Sequence, residues 1–61
     1  MKSTELLRKL KSAGWYVDRQ KGSHVIMKHP DRNKEFIVAP NHGSAEIGKG
    51  LQRRIEKQAG I

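Results

Sequence analysis

Residues 15–40 read WYVDRQKGSHVIMKHPDRNKEFIVAP, and the punctuation of that stretch decides the architecture. Three runs rich in β-branched and aromatic residues, Trp15–Arg19, His24–His29 and Lys34–Ala39, are divided by two chain-reversal signals. Lys21-Gly22-Ser23 places a glycine where a tight turn needs one. Pro30-Asp31-Arg32-Asn33 joins proline to short polar side chains. Connections this short link neighbouring antiparallel strands, so the stretch predicts a three-stranded meander that Pro40 ends.

On either side the apolar period changes to that of a helix. Leu6, Leu7, Leu10 and Ala13 form one stripe. Ser3 is expected as its cap, Glu5 stands in its first turn, and Gly14 is the stop signal. After the loop Asn41-His42-Gly43, Ser44 is expected to cap a second helix with Glu46 in its first turn. Ile47, Leu51 and Ile55 recur every fourth residue as its inward stripe, and Gly60 marks its end. Lys49, Arg53 and Lys57 fall on nearly the opposite side as a basic ridge. One apolar stripe per helix puts both helices on one face of the sheet. The expectation is a single α+β domain over residues 1–61 in the order α-β-β-β-α, the layout of the double-stranded-RNA-binding domain.

The composition narrows the function. A 61-residue domain buries only about 60% of its unfolded surface. With no cysteine, neither a disulfide nor a cysteine zinc site supplements that core. Thirteen Lys and Arg against six Asp and Glu leave a net charge of +7, which selects polyanions as partners, either nucleic acid or an acidic protein surface. No apolar run nears the roughly 20 residues of a membrane helix, and the N-terminal residues lack the apolar core of a signal peptide. A cytoplasmic protein without a membrane partner is therefore expected.

The chemistry-bearing candidate is His24. Imidazole, with an ordinary pKa of about 6.5, suits proton transfer near neutral pH. Gly22 and Ser23 would let a nucleic-acid backbone approach it closely. Lys21 in the turn and Lys28 on the same strand face are candidate phosphate contacts. Alternation also pairs His24 with Ile26; if Ile26 points inward, the imidazole sits at the rim of the core. On the residues alone His24 stays open between a structural histidine and a general base. His42 is a possible second proton-transfer group or an ordering element of its loop, and His29 closes a strand end. The histidines match no metal-ligand spacing, so no metal or other cofactor is expected. Gly48-Lys49-Gly50 lacks the spaced first glycine and final Ser or Thr of a phosphate loop, and its glycines read as close packing or approach by a partner's backbone. Lys49 and Arg53 are candidate RNA contacts, a dock for an acidic partner, or a solvated helix face. Tyr16 and Trp15 offer stacking surfaces, with Trp15 read as core.

Several ordered features resemble one family. They are Ala13-Gly14-Trp15, Gly22-Ser23-His24 opening the second strand, His29-Pro30, Val38-Ala39-Pro40-Asn41-His42, and Gly50-Leu51, Ile55 and Gln58-Ala59-Gly60-Ile61. In this order and spacing the chain resembles the HicA (YcfA-like) toxins of type II toxin–antitoxin systems. It departs where Gly50 and Leu51 are adjacent instead of flanking a threonine, and where Glu56 interrupts the basic residues of the second helix. The resemblance implies a toxin that cleaves messenger RNA without a metal through the histidine of Gly-Ser-His, here His24. It also implies a double-stranded-RNA-binding-like fold and a HicB antitoxin that occludes the site. Two other readings keep the charge but not the chemistry: a non-catalytic RNA-binding module, and a purely protein-binding partner.

Overall fold

In the computed structural model, which describes Met1–Ile61, both turn signals close hairpins. The elements are α1 (Ser3–Ser12), β1 (Tyr16–Lys21), β2 (His24–His29), β3 (Arg32–Pro40) and α2 (Lys49–Ala59). The strands pair antiparallel in the order β1-β2-β3. This is the expected α-β-β-β-α, double-stranded-RNA-binding-like fold. Gly22 takes φ +55 at the first turn position between Lys21 and His24, a left-handed conformation that glycine adopts without strain.

The second turn is tighter than the sequence suggests. Pro30-Asp31 alone reverses the chain, since His29 pairs with Arg32. The next pair is Lys28 with Phe36, so residues 33–35 bulge out of the ladder.

Period-two alternation in β2 and β3 divides the sheet into two faces. Val25 pairs with Ala39 and Met27 with Ile37, and all four are buried. Leu6 and Leu10 of α1, Ile55 and Ala59 of α2, Trp15 and Ile47 complete this core. All six residues of β1 are exposed, so the helices cover chiefly β2 and β3. Lys9 of α1 donates a hydrogen bond to Glu56 of α2 at 2.6 Å. That bond is the main reason the Glu56 carboxyl lies below its usual range; partial burial opposes it, and Gln52 adds to it. Glu56 thus reaches α1 while still bordering Lys49 and Arg53 of the basic ridge.

Three expectations about the helices are corrected. Ser3 does not cap α1: Lys2 stands at the cap position without a side-chain bond, and Ser3 is the first helical residue, fully buried. Ser44 does not cap α2, which begins five residues later after Gly48. The reason is tertiary. Ser3 and Thr4 N–H groups, orphaned at the helix start, donate to the Ala45 and Gly43 carbonyls, and Glu46 pairs with Lys2 in a β-bridge. Residues 43–46 are thereby held out of helical conformation. With α2 starting late, Leu51 is 41% exposed, and Ile55 with Ala59 forms the inward stripe. A Cβ on Gly48 or Gly50 would meet nothing within 4 Å, so close packing does not explain these glycines.

At the other end of β2, His29 ties the sheet to α1. Its Nε2–H donates to the Ala13 carbonyl at 3.0 Å, and its Nδ1 accepts from the Asp31 N–H at 3.1 Å. Using both nitrogens this way assigns the neutral Nε2–H tautomer. The ring meets Trp15 edge-on, with centroids 5.3 Å apart. Gly14 passes over it at φ +100, where a Cβ would lie 2.5 Å from His29 Nε2. Gly14→Ala should therefore destabilise the fold by about 1–3 kcal/mol, and Gly50→Ala, in helical backbone with open space around it, should raise stability slightly. Thermal unfolding of the two variants checks both signs.

Candidate active site

The burial of Val25 and Met27 dictates where His24 points. As their alternating neighbour it faces away from the helices, on the open side of the sheet, and it is exposed. Ile26 shares that face and is half-buried, so the expectation of an inward Ile26 with His24 at the core rim is corrected. Three rows of residues cross this face. Lys21, His24 and Pro40 form the row at the turn end, followed by Arg19, Ile26 and Val38, then Tyr16, Lys28 and Phe36.

Lys21 lies directly opposite His24, where cross-strand Cβ atoms are about 4.5–5.5 Å apart. Its ammonium is in reach of anything His24 touches. Lys28 shares the face but stands four residues along β2, about 13 Å away. It is also engaged: a bulge between Val17 and Arg19 turns Asp18 toward it, at 3.7 Å. Lys21 and Lys28 therefore stand in different rows of this face, and Lys21 is the one beside His24.

The turn is braced from both sides. Gln20 Nε2 donates to the Gly22 carbonyl at 2.9 Å, and the Asn41 N–H donates to the Ser23 carbonyl at 2.7 Å. His24 is therefore flanked by the segment Pro40-Asn41-His42. Ser3 sets that segment. Its hydroxyl donates to the Pro40 carbonyl at 2.6 Å and accepts from the His42 N–H at 3.1 Å. Ser3 is the one fully buried polar residue, and no sequence period marks it, because its value lies in partners about 40 residues away. The His42 side chain is exposed.

His24 and His29 share no site, since they stand at opposite ends of β2 and His29 is committed to the core edge. Lys49 and Arg53 border a separate cleft of about 220 Å³ with Gln52 and Glu56, which shares no residue with the turn around His24. Two further cations went unmarked by the sequence: Arg8 and Lys11 of α1 line a cleft with Thr4, Leu7 and Asn41. They lie off the apolar stripe of the first helix with no motif around them, and only the fold puts Asn41 beside them.

Fold and turn together define a small basic α+β domain with a double-stranded-RNA-binding-like fold that presents one histidine at a braced hairpin. The family model for the HicA toxin of bacterial toxin-antitoxin matches residues 3–61, and the chain belongs to that family. It is also 39% identical over 61 residues to the "Probable mRNA interferase HicA" of Pseudomonas fluorescens (strain Pf0-1), covering 100% of this chain and 97% of that protein.

Removing the Ser3 hydroxyl takes the partner from the Pro40 carbonyl and the His42 N–H, both in part-buried bonds. Ser3→Ala should cost about 1–3 kcal/mol. It should also speed amide exchange at His42 more than at Met27, which hydrogen-exchange measurement resolves.

Proposed function

We propose that this chain is the toxin of a toxin–antitoxin pair and acts as a metal-independent endoribonuclease on messenger RNA in the cytoplasm. The observation that carries the reading is the exposed His24 imidazole on a braced turn, directly across from Lys21, in a member of the HicA family. The relative's name as a probable mRNA interferase supports the choice of substrate. His24 acts as general base on the ribose 2′-OH, whose oxygen attacks the adjacent phosphorus. The bond to the 5′-oxygen breaks, leaving a 2′,3′-cyclic phosphate, and that oxygen takes a proton from water or from His42. Lys21, with the backbone at Gly22 and Ser23, holds the phosphoryl oxygens, and Lys28 contacts the backbone farther along the open face. Lys49 and Arg53 lie outside this immediate set.

A HicB-type antitoxin is the proposed protein partner. Support for a protein-binding surface comes from Phe36, 59% exposed, with Val38 and Leu51 beside it along the edge between β3 and α2. Exposed large apolar side chains grouped in this way mark protein contacts. A non-catalytic RNA-binding module has one observation in its favour: no side chain of this chain hydrogen-bonds the His24 ring to orient it.

Induced expression separates the two. Wild type should arrest growth and degrade transcripts, co-expressed antitoxin should restore growth, and folded His24→Ala should do neither harm. Equal arrest by both proteins would remove His24 from the mechanism and favour the binding module.

A further inference from the structure

Four hollows mark the surface, and one is built for an anion. It measures about 360 Å³ between α1 and Asn41 and is lined by Thr4, Leu7, Arg8, Lys11 and Asn41. Thr4, Arg8 and Lys11 fall on one flank of α1 by their spacing of four and three. No carboxylate lines it, and Arg8 and Lys11 take part in none of the chain's ion pairs. The other hollows differ: one contains Glu35, one contains Glu56, and one is walled mostly by apolar side chains with a single Arg54.

The far wall of this cleft is fixed and joins the candidate active site. Asn41 is bonded through its N–H to the Ser23 carbonyl, one residue before His24. The residues on either side of Asn41 are pinned by the buried Ser3 hydroxyl. Cleft and catalytic turn therefore share one wall, held in place before any ligand arrives.

We propose that this cleft is a backbone-phosphate subsite for single-stranded RNA. Arg8 and Lys11 pair with a phosphate neighbouring the one attacked at His24, and Thr4 and Asn41 offer hydrogen bonds to the same group. The inference rests on the ribonuclease reading and extends it to substrate form. The cleft lies on the helix side of the sheet and His24 on the open side, with the Ser23–Asn41 backbone as the rim between them. A strand serving both must bend over that rim within a few nucleotides. A single strand does so freely, whereas a base-paired duplex, stiff over many helical turns, does not. The lining also favours nucleic acid over an acidic protein, since it offers no exposed large apolar anchor of the kind protein interfaces use.

The test uses full-length protein carrying His24→Ala, so that binding is read without cleavage, and a labelled single-stranded RNA oligonucleotide at several salt concentrations. Adding Arg8→Gln and Lys11→Gln should weaken binding about 5-fold at roughly 0.1 M salt and lower the salt slope by about 0.7, one single-strand phosphate contact. Lys34→Gln with Arg54→Gln removes the same charge elsewhere and should leave the slope unchanged. An equal loss from both pairs, an unchanged slope in the first, or a duplex bound with the same dependence on Arg8 and Lys11 would overturn the subsite. So would loss of antitoxin binding with RNA affinity intact, which would assign the cleft to the partner protein. Cleavage by wild type is scored separately. A wild type that never cuts, yet binds RNA through Arg8 and Lys11, ends the nuclease reading and upholds the subsite.

Discussion

Everything functional in this chain hangs on the alternation of one strand. Val25 and Met27 must be buried because they meet Ala39 and Ile37 under both helices, and a ten-residue core has none to spare. Their burial turns His24, Ile26 and Lys28 outward. A slip of one residue in the β2–β3 register would exchange the two sets, bury His24 and expose the core. The core that stabilises the fold therefore also aims the histidine.

A second constraint compensates for the small core. The start of α1 holds the loop after β3 through Ser3 N–H to Ala45, Thr4 N–H to Gly43 and the two bonds of the Ser3 hydroxyl. The two N–H bonds satisfy helix-end groups that a side-chain cap would otherwise serve, and all four give the loop a defined position against β2. The wall of the His24 turn and the wall of the α1 cleft are products of that one junction. At the opposite end, His29 between Ala13 and Asp31 performs the same joining between helix and sheet.

The strands, their turns and the two helices were legible because their signals are local. Glycine at 22, proline at 30 and 40, and apolar periods of two or near four act within a few residues. What escaped was the choice of partners at a distance. Ser3 and Ser44 both look like caps, yet Ser3 spends its hydroxyl on Pro40 and His42, and Ser44 lies in a turn between Gly43 and Ala45, whose carbonyls bond the start of α1. Leu51 kept the helical period but lost its place when α2 began at Lys49. The turn around His24 could be found from sequence, as could Lys21. The engagement of Lys28 by Asp18 could not, since it needs a bulge in β1.

The central claim is that His24 at this turn drives attack by a ribose hydroxyl. Mass spectrometry of fragments from a short single-stranded RNA, cut by purified wild type in the presence of a chelator, tests it most directly. The account predicts a 2′,3′-cyclic phosphate on the upstream fragment, and no cut when the ribose at that position lacks its 2′-OH. A 3′-hydroxyl end, or undiminished cleavage of the 2′-deoxy substrate, would contradict it.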